Sequence, residues 1–181
     1  MREKNVKSIG ILGGSFDPPH KGHLYISRIG IKNLKINKLF WLLTKKNPFK
    51  GKPLFSINER IRRCKKIIRN NKKIKIIYLD DKLKSSKVIK AVLYLKKKYK
   101  QKIYFIMGSD NLISFHRWTK FRAITKNSTL VVFSRKGFDK KARKSNIFRY
   151  LNKKNIIFIK NKTMNVSSSQ LRKNYNIVNA Y

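Results

Sequence analysis

Six short apolar runs alternate along the chain with segments of helical period, and this alternation constrains the fold more than any other feature. The runs cover residues 7–12, 38–44, 74–79, 102–107, 129–134 and 155–159. Their content of Ile, Val, Leu, Phe and Tyr is typical of strands buried on both faces of a parallel sheet. Strands that alternate with helices predict an α/β fold, a Rossmann-like doubly wound parallel sheet. A single domain over residues 1–181 is expected, because 181 residues suit one core.

Helices are predicted between the strands, the first of them over residues 20–34. The next begins at Ser56 and Glu59, which have the spacing of a capping box. Apolar residues at helical spacing mark the inner faces of this helix and the following one: Ile57, Ile61, Cys64 and Ile68, then Val88, Val92, Leu95 and Tyr99. In a doubly wound sheet the ligand binds beyond the carboxyl ends of the strands, so functional residues are expected just after them.

The charge of the chain is strongly unbalanced. It has 47 Lys and Arg against 7 Asp and Glu, a formal net charge of +40. This excess suggests, as an alternative class of function, a basic nucleic-acid-binding protein on the same fold. The basic residues are spread among many Ile and Asn residues and form no tail, so drift of the genome toward A- and T-rich codons is preferred over selected nucleic-acid binding. No specific nucleic-acid partner is expected, although polyanions would be attracted at low salt.

Compartment and redox state follow from what the sequence contains. No apolar run approaches the ~18–20 residues of a membrane span, and no signal-peptide core is present. Apolar residues make up 41% of the chain, enough for a packed interior. The single cysteine, Cys64, excludes an internal disulfide and a cysteine-based metal site. A soluble, cytoplasmic protein without a membrane partner is predicted.

The segment after the first strand reads Gly-Gly-Ser-Phe-Asp-Pro-Pro-His-Lys-Gly-His and covers residues 13–23. Gly13 and Gly14 allow the backbone to turn and to approach a ligand without a Cβ clash. His20 and His23 lie on one side of the first turn of a helix, where free amides and partial positive charge suit a phosphate. The alternatives are a turn with two incidental histidines and a metal site. The chain has only one further histidine and few carboxylates, so phosphate binding is favoured.

This segment resembles the (T/H)xGH signature region of the nucleotidylyltransferase superfamily. Residues 107–118, from Met-Gly-Ser-Asp-Asn-Leu to Trp, resemble the Met-Gly-x-Asp-Asn-Leu…Phe-x-x-Trp segment of bacterial nicotinate-nucleotide adenylyltransferases. Val-Ser-Ser-Ser-Gln-Leu-Arg at 166–172 is similar to the Ile-Ser-Ser-Thr-x-Ile-Arg motif of these enzymes, and residues 41–50 are similar to their stretch from a Trp to Asn-Pro-x-Lys. The four matches keep the family's order over nearly the whole chain.

The resemblance implies an enzyme that transfers the AMP part of ATP to nicotinate mononucleotide and forms deamido-NAD and pyrophosphate. ATP and nicotinate mononucleotide are the implied partners, and Mg²⁺ is expected to bind through the ATP phosphates rather than through protein ligands. A phosphopantetheine adenylyltransferase is the alternative within the superfamily. It is disfavoured by His20, where that group typically has Thr, and by the segment from Asp110 to Trp118.

The resemblance also implies roles for single residues. Predicted catalytic residues, acting on the phosphates, are His20, His23 and Arg172. Predicted ATP-binding residues are Gly13, Gly14, Ser15, Phe16, Gly22, Gly108, Asp110, Arg135, Ser167 and Ser168. Predicted substrate-binding residues are Lys50, Ser85 and Trp118, and no side chain is predicted to bind a metal.

Some of these positions have a second interpretation. Asp110 is placed to accept hydrogen bonds from ribose hydroxyls, and it is equally placed to cap a helix. Trp118 is expected to stack on the pyridine ring or to pack in the core. Ser167, Ser168 and Arg172 suit the β- and γ-phosphates, whereas an ordinary helix cap with an exposed arginine is the alternative.

Overall fold

A computed structural model describes residues 7–45, 47, 49, 51–151, 155–162 and 166–178, the last five of these for their main chain only. The strands are β1 (Ser8–Gly14), β2 (Lys38–Leu43), β3 (Ile74–Tyr78), β4 (Lys102–Gly108), β5 (Thr129–Phe133) and β6 (Ile156–Ile159). They form one parallel sheet in the order β3-β2-β1-β4-β5-β6. The predicted Rossmann-like α/β fold is therefore confirmed, and the strand order reverses between β1 and β4.

Helices cover both faces of this sheet. They are α1 (Lys21–Asn33), α2 (Ile57–Ile68), α3 (Val88–Tyr99), α4 (Ser109–Ile113), α5 (Phe121–Asn127), α6 (Asp139–Arg143), α7 (Asn146–Leu151) and α8 (Ser168–Val178), with a 3-10 helix at Phe115–Arg117. One core contains the inner faces of α1 and α2, including Cys64, and the other contains α3, α4, α5 and α7. Two cores separated by the sheet are the packing expected of a doubly wound fold.

The predicted apolar faces of α2 and α3 are confirmed. Cys64 is fully buried, and burial raises the pKa of its thiol to about 12, so this cysteine is an unreactive core residue. Val92 and Leu95 of α3 are buried in the opposite core. Within the described part of the chain, no helix is long and apolar enough to cross a bilayer.

The first strand is longer than predicted, because Gly13 and Gly14 continue it and pair with the end of β2. These glycines therefore do not form the turn that the sequence suggested. Their value lies in their small size: a Cβ at position 13 would come within 3.2 Å of the Phe105 ring, and one at position 14 within 3.2 Å of the Phe16 ring.

The predicted capping box of α2 is only half formed. The Ser56 hydroxyl accepts a hydrogen bond from the Glu59 amide at 3.2 Å. The Glu59 carboxylate does not reach back, because Arg62 and Arg63 donate to it at 2.7 and 2.6 Å from the next turn. Two charged partners outcompete one backbone amide for the carboxylate.

Candidate active site

A cleft of about 720 Å³ lies at the carboxyl edge of the sheet, across the point where the strand order reverses. Residues that follow every strand line it, as predicted for a doubly wound sheet. Among the predicted site residues, the cleft is lined by Gly13, Gly14, Ser15, Phe16, His20, Gly22, His23, Ser85, Gly108, Asp110, Trp118, Arg135, Ser167 and Ser168. Arg172 lies behind this lining, and Lys50 lies outside the described residues.

The two histidines form the start of α1. The helix was predicted to begin at His20, but His20 is its N-cap residue and α1 begins at Lys21. The His20 backbone amide donates to Nδ1 of His23 at 3.2 Å. The ring centroids are 3.8 Å apart. Since Nδ1 of His23 accepts a hydrogen bond, the neutral ring carries its proton on Nε2, the form that can donate to a phosphate oxygen.

Aromatic packing fixes the His23 ring from behind. Phe16 is 1% exposed and lies between His23, at 4.8 Å between centroids, and Trp41, on which it stacks at 4.9 Å. The Trp41 indole donates to the Ser27 hydroxyl at 2.8 Å, and that hydroxyl donates to the His23 carbonyl at 2.7 Å. Sequence reasoning missed Ser27, although a serine four residues after a helical residue often bonds to that residue's carbonyl.

Glycine at position 22 leaves space for the His20 side chain at the start of α1. A Cβ at position 22 would come within 2.9 Å of Nδ1 of His20 and 3.3 Å of the Val166 side chain. The position therefore requires glycine because His20 occupies the space a side chain would need.

We expect Gly22→Ala to separate stability from activity. Alanine stabilises a helix relative to glycine by roughly 0.5–1 kcal/mol. This gain should offset the cost of the close contact with His20, so the free energy of unfolding should change little. Displacement of His20 should lower kcat/KM by about tenfold or more, since catalytic positioning is sensitive to shifts of about 1 Å. Urea unfolding and a pyrophosphate-release assay measure the two quantities.

Gly51→Ala is the matched control, because a Cβ at position 51 meets no atom within 4 Å. It should leave activity unchanged. Equal activities of the Gly22 and Gly51 variants would contradict the role assigned to the space beside His20.

Asp110 and Arg135 both line the cleft and form an ion pair. Nη1 of Arg135 contacts Oδ2 of Asp110 at 2.5 Å. Oδ1 of Asp110 is buried and has no hydrogen-bond partner among the described residues. This oxygen lies beside Gly108, since a Cβ at position 108 would come within 2.5 Å of it, and Asp110 also lies in the first turn of α4.

A second carboxylate, Asp139, organises this side of the cleft. Its Oδ1 accepts from the Ser109 hydroxyl at 2.6 Å and from the Arg135 amide at 3.0 Å. Desolvation raises the pKa of Asp139, but hydrogen bonds from Ser109, Arg135 and Ser134 outweigh it, and the net shift is downward. Sequence reasoning missed Asp139; the scarcity of acids in the chain is the signal that could have found it.

Arg172 is turned away from the cleft toward the loop after β1. Its Nη1 donates to the Asp17 carbonyl at 2.7 Å and lies 3.5 Å from the Asp17 carboxylate. Ser168, at the start of α8, donates to the Pro18 carbonyl at 2.8 Å. These contacts bind α8 to the loop before α1, and the predicted phosphate contact of Arg172 stays a prediction.

Asp17 is the centre of these contacts. It is 2% exposed, and its carboxylate accepts from the amides of Leu54 at 2.9 Å and Phe55 at 3.0 Å. The residue thus joins the loop after β1, the segment before α2 and the start of α8. Sequence reasoning missed this role of Asp17, because its partners are backbone amides more than 35 positions away along the chain.

The two substrate-side positions differ in their surroundings. Trp118 lines the cleft and also packs against Phe115 and Phe105, with centroids 5.1 and 6.1 Å apart. Both interpretations of Trp118 agree with this placement. The Ser85 hydroxyl, also in the cleft lining, accepts a hydrogen bond from the Lys87 amide at 3.2 Å.

Among the described residues, no cluster of three or more His, Cys, Asp or Glu side chains has a metal-binding arrangement.

Comparison with known proteins identifies the family of the chain that contains this cleft. The profile of the cytidylyltransferase-like family matches residues 11–174. A probable nicotinate-nucleotide adenylyltransferase from Pelagibacter ubique is 47% identical over 173 residues, which are 96% of each chain. The chain belongs to the nicotinate-nucleotide adenylyltransferase family. The resemblance stated from four motifs is thereby confirmed.

Further relatives agree with this assignment. A probable nicotinate-nucleotide adenylyltransferase from Ruegeria is 36% identical over 78% of this chain and 75% of its own. The nicotinic acid mononucleotide adenylyltransferase of Plasmodium falciparum, solved in complex with NaAD, superposes with a TM-score of 0.69 at 23% identity, over 92% of this chain and 83% of that one. The structural likeness extends the fold of the adenylyltransferase family to this chain.

Proposed function

We propose that the protein transfers the AMP moiety of ATP to nicotinate mononucleotide and releases pyrophosphate, so that deamido-NAD is formed. The observation that carries the proposal is the histidine pair at the start of α1, which faces a cleft at the switch point of the sheet in a chain of this family. The names of the relatives support the choice of substrate, and the cleft contains His20 and His23, the proposed phosphate donors, together with Asp110, the proposed ribose acceptor.

In the proposed reaction an oxygen of the nicotinate mononucleotide phosphate attacks the α-phosphorus of ATP in line. A new P–O bond forms, the bond between the α-phosphorus and its bridging oxygen breaks, and pyrophosphate leaves with the electron pair. The attacking phosphate has a second pKa of about 6, so it is ionised at neutral pH. No general base is needed, and catalysis consists of alignment and stabilisation of charge.

The protein groups have complementary parts in this step. Nε2–H of His23 is the proposed donor to a phosphate oxygen, and the partial positive charge at the start of α1 adds to the attraction. Asp110 is proposed to hold the ribose, and Trp118 is proposed to cover the pyridine ring on the opposite side of the cleft. Ser167 caps α8 through the Gln170 amide at 3.2 Å and directs that helix start toward the cleft.

Nucleotidyltransferases act on ATP together with a divalent cation, and we propose Mg²⁺ for this protein. Phosphate oxygens and water are its preferred ligands, which fits a cleft whose lining offers donors for phosphates and a carboxylate, Asp110, already paired with Arg135. The cation would neutralise phosphate charge when bound.

A cytoplasmic location and a single nucleotidyltransferase domain over residues 1–181 are proposed with the same function.

The test is pyrophosphate release from ATP and Mg²⁺ with nicotinate mononucleotide, nicotinamide mononucleotide or phosphopantetheine offered separately. We expect turnover with nicotinate mononucleotide, and a kcat/KM at least about tenfold lower with the other two, since a site that hydrogen-bonds a group of its substrate rejects analogues that lack that group. Turnover of phosphopantetheine alone would keep the reaction and overturn the substrate. Inactivity of the folded protein with all three would overturn the proposed function.

A further inference from the structure

A buried arginine that the reaction above does not use lies beneath the cleft. Arg60, one turn into α2, is 1% exposed. Burial lowers the pKa of its guanidinium, and the field of Asp17 opposes that shift. An arginine remains charged in a protein, and a buried charge is stable only when its donors are paired. The partners of Arg60 therefore indicate what the residue does.

These partners are four backbone carbonyls. Nη1 donates to the Ser15 carbonyl at 2.8 Å and to the Thr44 carbonyl at 2.9 Å. Nη2 donates to the Lys45 carbonyl and Nε to the Phe55 carbonyl, each at 3.1 Å. One guanidinium thus joins the loop after β1, the loop after β2 and the segment before α2.

The geometry of the peptide bond extends this contact into the cleft. The Ser15 carbonyl and the Phe16 amide belong to one planar trans peptide, in which C=O and N–H point in opposite directions. A cation held against the carbonyl therefore turns the Phe16 N–H away from the buried side. It also polarises the peptide, and a polarised N–H is a stronger donor.

The peptide between Thr44 and Lys45 has the same arrangement, and there the acceptor of the N–H group is a protein side chain. Arg60 holds the Thr44 carbonyl, and the Lys45 amide donates in the opposite direction to Oδ2 of Asp80 at 2.8 Å. A carboxylate is the acceptor there. At the Ser15–Phe16 peptide, which lines the cleft beside His20 and His23, an anionic acceptor from the ligand would complete the pattern.

We propose that Arg60 is a positioning residue for the nucleoside triphosphate: it fixes and polarises the Ser15–Phe16 peptide so that the Phe16 amide binds a phosphate oxygen. The identity of the anion rests on the proposed function. Arg60 itself does not contact the ligand, because its side chain is closed off from the cleft. Its effect should therefore be specific to the phosphates and absent from the nucleoside part of ATP.

The test compares Arg60→Lys and Arg60→Met with Arg62→Met. Lysine keeps the charge but lacks the planar fork that reaches four carbonyls. Arg62 is the matched control on the same helix, with a side chain 73% exposed and paired with Glu59. Dissociation constants for α,β-methylene-ATP and for adenosine are measured by isothermal titration calorimetry, with thermal melts to establish that each variant is folded.

We expect Arg60→Lys to weaken binding of α,β-methylene-ATP by about tenfold, the effect of losing one charge-assisted contact, while adenosine binding changes by less than about twofold. Arg60→Met should weaken the triphosphate further or fail to fold, in which case Arg60→Lys carries the test. Equal losses for both ligands would indicate general loosening and overturn the proposal, as would unchanged affinities.

Failure of the proposed function has a different signature. A wild-type protein that binds α,β-methylene-ATP more tightly than Arg60→Lys does, yet releases no pyrophosphate with any of the three acceptors, would retain the role of Arg60 and overturn the reaction. A wild-type protein that binds neither α,β-methylene-ATP nor adenosine would overturn both.

Discussion

Replacing His23 by asparagine is expected to lower kcat by about 10²–10³-fold, the loss typical of removing one donor that stabilises charge in the transition state. Asparagine places an acceptor oxygen near the position of Nδ1, so the hydrogen bond from the His20 amide, 3.2 Å in the native protein, can be kept. It has no counterpart of Nε2. The start of α1 should therefore remain formed while the proposed phosphate donor is missing.

The complementary variant is His23→Gln, whose amide nitrogen reaches the position of Nε2 but whose side chain has no acceptor at Nδ1. If phosphate donation is the main role of the ring, the glutamine variant should be the more active of the two. Steady-state kinetics with ATP and nicotinate mononucleotide decide between them. An asparagine variant with near-native kcat would mean that His23 serves only to cap the helix.

Asp17→Ala is expected to reduce the free energy of unfolding by about 3–5 kcal/mol, as found when one partner of a buried charged network is removed. The native carboxylate is buried and accepts from the amides of Leu54 and Phe55. Without it both amides lose their acceptor, Arg172 loses its ion pair, and the charge on Arg60 loses the nearby acid that favours it. Since domains are stable by only about 5–15 kcal/mol, the variant should be close to unfolding.

Urea unfolding followed by circular dichroism measures this change. Asp81→Ala is the control, because its carboxylate makes an exposed hydrogen bond with the Tyr78 hydroxyl at 2.8 Å. That variant should lose less than about 1 kcal/mol, the range of ordinary surface substitutions. Similar unfolding curves for the two variants would show that Asp17 does not hold the three segments together.

Patterns of local origin were predictable from the sequence. The six strands could be located to within two residues because both faces of a central parallel strand must be apolar. The helical faces containing Cys64 and Val92 followed from spacing alone. The edge of the sheet that holds the cleft followed from topology, since parallel strands bring their carboxyl ends together.

Contacts between distant segments could not be predicted in this way. Arg60 is one of 47 basic residues, and nothing in its neighbourhood of sequence distinguishes a buried arginine from the exposed ones beside it. Its carbonyl partners at Ser15 and Thr44 are backbone groups that every residue possesses. Asp17 and Arg172 are 155 positions apart, and their contact depends on where α8 returns to the sheet.

The same limit explains the error in α2. A capping box is a local motif, and the Ser56 half of it formed as predicted. The Glu59 half failed because arginines three and four residues later offered the carboxylate stronger partners. A motif considered alone does not show which neighbouring side chains compete for its hydrogen-bonding groups.

The few carboxylates of the chain would make its carboxyl spectrum uncommonly simple. Asp80, Asp110 and Asp139 follow β3, β4 and β5, and Asp17 follows β1, so most of the acids surround the cleft. His20 and His23 lie there too. In an ordinary protein, carboxyl and imidazole signals from the site are lost among dozens from the surface. Here a spectrum of the carboxyl and imidazole groups would be, in large part, a spectrum of the active site.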